Sequence, residues 1–163
     1  MADRAGHTPG ADIRLRPVCA DDLPALFRMQ ADPQASRMAV VNPRSPAEFA
    51  EHWNRILADR SVVARAILAR DDLVGSINCF RMDGVDAVGY WIARDHWGRG
   101  IATRALELLL GEVATRPLHA RVARSNIGSI LVLERNGFRV THYQHVPADD
   151  RFPACEEAAL RLD

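Results

Sequence analysis

Residues 88–104 read Val-Gly-Tyr-Trp-Ile-Ala-Arg-Asp-His-Trp-Gly-Arg-Gly-Ile-Ala-Thr-Arg, and their order decides the fold. The largely apolar run Val88–Arg94 predicts a strand. A loop over Trp97–Gly100, punctuated by Gly98 and Gly100, opens onto an amphipathic helix. Ile101, Ala105, Leu108 and Leu109 share one face of it. A helix start exposes unpaired N–H groups and the positive end of a dipole, and glycine lets an anion approach the backbone. The stretch therefore reads as a strand, loop and helix that cradle a phosphate-bearing cofactor.

Upstream, Val62–Leu68 and Leu73–Arg81 predict two strands hinged at Asp71-Asp72, and Asp83-Gly84 predicts the turn into the strand just quoted. Ser45-Pro46-Ala47-Glu48 is a helix start with a cap, a first-turn proline and the acid of a capping box. That helix carries Phe49, Trp53, Ile56 and Leu57 and fades near Asp59. Residues 21–31 predict another helix, with Leu23, Leu26 and Phe27 on one face, and Asp12–Val18 alternates as a strand does. Downstream, the helix over 101–114 is stopped by Pro117, and Leu118–Ala123 is strand-like. Asn126 caps a short helix bearing Ile127, Ile130 and Leu131, which Asn136-Gly137 ends by a left-handed exit. Phe138–Val146 and Cys155–Leu162 predict two closing strands. The order β-α-α-β-β-β-α-β-α-β-β predicts one α/β (α+β) domain over residues 12–163, a mixed, mostly antiparallel sheet flanked by helices. Residues 1–11 are expected to form a disordered tail.

Composition narrows the function. The 163 residues suit a single core, with hydrophobic and charged fractions of 48% and 26%. No apolar run is long enough for a membrane span, and the first residues lack the apolar core of a secretory signal. Cys19, Cys79 and Cys155 are widely spaced, which predicts reduced thiols, a cytoplasmic location and no metal site. All basic side chains except histidine are arginine: there are 21 and no lysine. A phosphate-binding P-loop and a Schiff-base mechanism both need the missing lysine. Net charge is zero, which gives no case for non-specific nucleic-acid binding. Locally, residues 94–139 hold eight arginines against four acids, which suits a phosphate, and residues 140–163 hold two against five, which suits a cation.

Two phosphate cofactors compete for the loop. A dinucleotide fingerprint needs a third glycine where Thr103 stands, and an acid about twenty residues on, where Arg121 lies. A second segment, Asn126-Ile-Gly-Ser129 followed by Glu134-Arg135-Asn136-Gly137-Phe138, lies one strand beyond the loop helix. Together the two segments resemble the GCN5-related N-acetyltransferase (GNAT) family. Its loop consensus Gln/Arg-x-x-Gly-x-Gly/Ala is matched at Gly100 and Ala102, with Trp97 in place of the Gln. Its later consensus is met by Asn126, Ser129, Glu134, Arg135, Gly137 and Phe138. The Gly-Tyr-Trp before the loop resembles the branch that acetylates ribosomal-protein N-termini (RimJ/RimL-like).

The resemblance implies an acetyl-CoA-dependent N-acetyltransferase acting on a primary amine, either a protein N-terminus or a small molecule. It implies a pyrophosphate on the N–H groups of Arg99, Gly100, Ile101, Ala102 and Thr103, with Arg99 or Arg104 near the 3′-phosphate. It places the pantetheine arm beside Ile92, Ala93 and Arg94, in a gap between two splayed strands, with the Ile92 N–H as oxyanion donor. Ser129 becomes the acid for the departing thiolate and Asn126 a CoA contact; Tyr143 is a second acid candidate. Arg37, Met38, Trp53 and Phe152 would line the acceptor site. Many relatives carry a glutamate where Ala87 stands, and Asp86 should face the other way. Glu48, Glu51, His52, Glu156 and Glu157 remain as bases, and none is assigned. The alternative reading is a non-catalytic acyl-CoA-binding module. No nucleic-acid or membrane partner is expected, and a homodimer is compatible with the resemblance.

Overall fold

The structure, a computed structural model, describes residues 12–163. The expected tail over 1–11 lies outside the described residues. Seven strands form one sheet in the order β1-β2-β3-β4-β5-β7-β6. They are β1 (Ile13–Pro17), β2 (Val63–Ala69), β3 (Asp72–Met82), β4 (Val85–Ile92), β5 (Leu118–Ala123), β6 (Arg139–Val146) and β7 (Cys155–Leu162). Every neighbouring pair is antiparallel except β4 and β5, which run parallel. The helices are α1 (Leu23–Ala31), α2 (Pro33–Ala39), α3 (Pro46–Ala58), α4 (Ile101–Glu112) and α5 (Ile127–Arg135).

Local chemistry explains the boundaries. Asp83 and Gly84 both take positive φ, as the tight hairpin between β3 and β4 requires. The Ser45 hydroxyl accepts the Glu48 N–H at 3.2 Å and the Glu48 carboxylate accepts the Ser45 N–H at 2.8 Å, the reciprocal box read from the sequence. At the end of α5, Gly137 takes φ +89°, and the Phe138 N–H reaches back to the Leu133 carbonyl at 3.1 Å.

The expected element order lacks α2. Its signal is Asp32-Pro33: the Asp32 carboxylate caps the helix by accepting from Gln34 N–H at 2.9 Å and Ala35 N–H at 3.3 Å, and proline takes the first position. At seven residues the helix is too short for a periodic apolar face to announce it. The region expected to be helical from residue 21 begins as a 3₁₀ turn at Ala20–Asp22. β4 stops at Ile92, two residues earlier than expected, because Arg94–His96 turn into a 3₁₀ segment. In α5 the buried residues are Ile130 and Leu133, whereas Ile127 and Leu131 are exposed.

Two apolar clusters cover the two faces of the sheet. Ile101, Ala105, Leu106 and Leu109 of α4 and Leu133 of α5 pack with Ile67, Ile77, Val88 and Leu160. Leu26 of α1 and Phe49 and Trp53 of α3 pack with Val18 and Ala66. Ala66 and Ile67 thus sit in opposite clusters, as the pleat of β2 dictates.

Candidate active site

The site begins where two strands part. β4 and β5 are paired only at Ala87 and His119. β4 then continues to Ile92 along β3, while β5 diverges from it. The Ala93 N–H donates to the Val74 carbonyl at 2.8 Å, which sets the phase of the β3–β4 ladder. Alternate residues of an antiparallel strand face the partner. Tyr90 and Ile92 therefore turn their N–H groups away from β3 and into the gap, and Ala93 turns its own toward β3. Gly75, opposite Ile92, lets the two strands approach: a Cβ there would collide with the Trp91 carbonyl.

The loop is fastened to the end of β4. The Trp97 indole N–H donates to the Ile92 carbonyl at 2.9 Å. Gly98 and Gly100 take φ of +72° and +74°, and a Cβ on either would point into open space. Gly100 is the N-cap of α4 and brings no side chain to it. The amides of Ile101, Ala102 and Thr103 therefore have no side-chain cap. The Thr103 hydroxyl is buried and has no hydrogen-bond partner among the described residues. Asn136 ties α5 to this first turn, donating to the Thr103 carbonyl at 3.2 Å and the Val132 carbonyl at 3.0 Å.

A cleft of about 350 Å³ runs from this helix start into the gap. Gly98, Gly100, Ala102 and Thr103 line one end of it, and Tyr90, Ile92, Asn126 and Ser129 line the other. Asn126 caps α5 through its side-chain carbonyl, which accepts the Ser129 N–H at 3.3 Å. The Ser129 and Tyr90 hydroxyl oxygens lie 2.6 Å apart, and Tyr90 also donates to the Ser129 carbonyl at 3.0 Å. Burial pushes the Tyr90 phenol up to about 12, against the lowering effect of Ser129. Tyr90 was missed in the sequence, where it counted only as part of the Gly-Tyr-Trp signature.

The arginines sort differently from expectation. Arg135 of α5 lines the cleft, whereas Arg99 and Arg104 lie outside its lining. Arg104 pairs with Glu107 at 2.7 Å. The Arg94 guanidinium is held by Asp32 at 2.8 Å and Gln34 at 2.7 Å, so it fastens the start of α2 to the end of β4.

A second, larger cleft of about 890 Å³ meets the first at Tyr90, Trp91, Asn126 and Ser129. Trp53 forms part of its wall while packed in the α1–α3 cluster, and Phe152 lines it from the β6–β7 loop. Met38 lines the first cleft only, and Arg37 lines neither. His52 reaches the second cleft from α3. Burial, then the charges of Arg44, Arg55 and Arg151, push its imidazole down to about 4.

The remaining base and acid candidates are placed as follows. Ala87 is fully buried and reaches neither cleft. Asp86 pairs with Arg81 on the adjoining strand at 3.3 Å. Glu48 belongs to the capping box and Glu51 pairs with Arg55 at 3.1 Å. Glu157 lines the second cleft and accepts from Gln144 at 3.0 Å. Tyr143 lies outside both clefts beneath the Arg124 guanidinium, 4.4 Å from the ring centre. Two acids of the C-terminal segment are paired: Glu156 with Arg124 at 3.1 Å and Asp163 with Arg139 at 2.8 Å. Among the described residues no cluster of histidine, cysteine or acid could hold a metal, and no helix is long and apolar enough to cross a membrane.

Comparison with known proteins bears on this geometry. The family model of the acetyltransferase (GNAT) domain matches residues 12–139. The chain is 24% identical over 140 residues to the uncharacterized N-acetyltransferase p20 of Bacillus licheniformis, covering 78% of this chain and 79% of that one. Among solved structures, Mycobacterium smegmatis RimJ in complex with CoA-disulfide superposes with a TM-score of 0.76 at 21% identity, covering 94% of this chain and 83% of that one. The spermidine N-acetyltransferase of Vibrio cholerae, in complex with CoA and spermine, gives 0.77 at 17% identity, covering 93% and 95%. Those two likenesses are likenesses of fold.

Proposed function

This chain belongs to the GNAT acetyltransferase family, and from that premise we propose that residues 12–163 form an acetyl-CoA-dependent N-acetyltransferase acting on a primary amine. One observation carries the reading. The gap opened by the parting of β4 and β5 exposes the Ile92 N–H and leads straight to the uncapped start of α4.

The residues fit the donor. A diphosphate would sit on the amides around Gly100–Thr103, where the positive helix end favours an anion and the orphaned Thr103 hydroxyl needs an acceptor. Arg135 is placed to add charge at the same cleft. A pantetheine arm would extend β4 as an added strand, using backbone groups that β5 leaves unpaired. Acetyl-CoA supplies a thioester whose carbonyl carbon the amine attacks directly.

The chain then has three tasks. The Ile92 N–H stabilises the oxyanion as the amine adds. Ser129 delivers a proton to the departing thiolate and recovers one from Tyr90, whose hydroxyl lies 2.6 Å away and regains its own from solvent in the cleft it lines. Holding the amine against the thioester in the shared zone of the two clefts supplies most of the acceleration. Deprotonation of the amine falls to the second cleft. There His52 is kept in its neutral, proton-accepting form, although so weak a base leaves much of the task to the pH of the solution.

Ala87 supports a second reading, CoA binding without transfer, because it leaves no carboxylate at that point of β4. Thiol release from acetyl-CoA, measured against a broad amine panel, separates the two. Turnover with any amine supports the enzyme. Tight CoA binding with no turnover supports the module.

A further inference from the structure

We propose that the second cleft binds a carboxylate of the acceptor between Arg44 and Arg151, so that the preferred substrates are amines that also carry an anionic carboxyl group, such as amino acids and acidic peptides. The proposal rests on the transferase reading above and narrows its substrate class.

The two arginines come from loops fastened to each other. Arg44 lies between α2 and α3, and Arg151 between β6 and β7. The Asn42 N–H donates to the Arg151 carbonyl at 2.8 Å, the Asn42 side chain donates to the Asp150 carbonyl at 3.4 Å, and the Arg151 guanidinium donates back to the Asn42 carbonyl. The buried Gln30 holds the Arg44 carbonyl at 3.4 Å. The backbone of both residues is thus anchored, and both side chains line the cleft.

No ion pair answers their charges, which feel only the more distant carboxylates of Glu48, near both, and Asp149, near Arg151. Neither residue forms an ion pair among the described residues. Among the described residues the Arg44 guanidinium makes no hydrogen bond, and the Arg151 Nε is buried without a partner. Arg121, the third arginine of the cleft, is instead paired with Asp83 at 2.9 Å. The nearby acids are committed elsewhere. Glu48, whose charge reaches both arginines, is held by the Ser45 N–H in its capping box, Asp149 accepts the N–H groups of Arg151 and Phe152, and Glu157 is held by Gln144. Burial and the neighbouring Arg151 charge lower Arg44 to about 10, and the same charges keep His52 neutral.

Two half-buried cations with no contact ion pair are costly unless an anion completes them. Arginine suits a carboxylate, whose two oxygens match its fork of donors. A polycationic acceptor would be repelled here. Of the acids near the C-terminus, whose count alone suggested a cation, Glu156 and Asp163 are already paired.

The test uses paired acceptors differing in one group: dipeptides with aspartate or asparagine after the free N-terminal residue, amino acids and their amides, and phosphoethanolamine beside ethanolamine. The carboxylate member should have a kcat/KM roughly tenfold higher, chiefly through KM, as expected for a charged hydrogen bond. Arg44→Gln and Arg151→Gln should each bring the ratio near one; Arg44→Gln removes no hydrogen bond of the fold. Separately, glutarate is titrated into the protein while the His52 imidazole, assigned with His52→Gln, is followed by NMR. Glutarate should raise its pKa, and should fail to do so in Arg44→Gln. If glutarate acts in this way but no amine turns over, the anion site stands and the transferase reading falls. If amines turn over with no carboxylate preference and His52 does not respond, the anion site is overturned and the transferase stands. A preference for phosphoethanolamine over every carboxylate overturns the carboxylate assignment.

Discussion

Replacing Ser129 by alanine separates its chemical role from its structural one. The variant keeps the backbone N–H that Asn126 caps at 3.3 Å, so α5 should start unchanged. It loses the 2.6 Å contact with the Tyr90 hydroxyl, but Tyr90 keeps its 3.0 Å bond to the Ser129 carbonyl. The net loss is one neutral hydrogen bond, worth about 1 kcal/mol. For a chain of this size that lowers Tm by roughly 2–4 °C. The affinity for acetyl-CoA should change little, because the phosphate cradle and the Ile92 amide are untouched. Turnover should fall roughly tenfold, about 1.4 kcal/mol of barrier, less than the roughly hundredfold or more usual for a general acid because a thiolate leaves readily. Tyr90→Phe should lower turnover less, since Ser129 still faces the cleft, and the double variant should resemble Ser129→Ala. The measurements are thiol release at saturating amine, calorimetric binding of acetyl-CoA and a thermal melt. Unchanged turnover, or an affinity loss as large as the loss of turnover, would refute the role of Ser129 as proton donor.

Gly100→Glu should abolish CoA binding, since the new side chain projects into the open cradle with the wrong charge; positive φ costs the fold only about 1–2 kcal/mol, and calorimetry on the folded variant checks it. The rate profile should rise with pH as the acceptor amine loses its proton and show no inflection near 6.5, because His52 is already neutral there; kcat/KM measured from pH 5 to 9 decides this. Since the folded His52 lies below its ordinary 6.5, its neutral form contributes stability that is complete above 6.5 and lost as pH falls toward about 4. Half-burial limits that loss to about 1–2 kcal/mol, and denaturation of wild type and His52→Gln at neutral and acid pH should show it only in wild type. Asp22, held near 2 by the paired hydrogen bonds from Arg16, adds a further loss as pH falls from 3.8 toward 2, so Asp22→Asn should be destabilised at pH 7 by about 2 kcal/mol and unfold less steeply in that lower window.

The elements set by local chemistry were legible in the sequence. Caps, turns and glycine exits at Ser45, Asn126, Asp83-Gly84 and Gly137 act over a few residues, and each is found where the residues placed it. The loop and uncapped helix start that we propose as the phosphate cradle were legible for the same reason, since Gly98, Gly100 and Thr103 are contiguous with the start of α4. Helix α2 was lost because Asp32-Pro33 is a short cap with no periodic face behind it. What lay beyond reach were meetings across the fold. Tyr90 and Ser129 are 39 residues apart and meet only because β4 leaves β5. Arg44 and Arg151 meet through two loops whose contact no periodicity encodes. Net charge over 140–163 could not show that two of its acids, Glu156 and Asp163, pair with Arg124 and Arg139 from outside the segment.

The most direct measurement is a crystal structure of the protein soaked with coenzyme A. The account predicts the diphosphate within hydrogen-bond distance of the amides at the start of α4, and the pantetheine arm in the gap between β4 and β5 with its sulfur near Ser129 and the Ile92 N–H. A structure with CoA seated elsewhere, or with that gap closed by pairing of the two strands beyond Ala87 and His119, would contradict it.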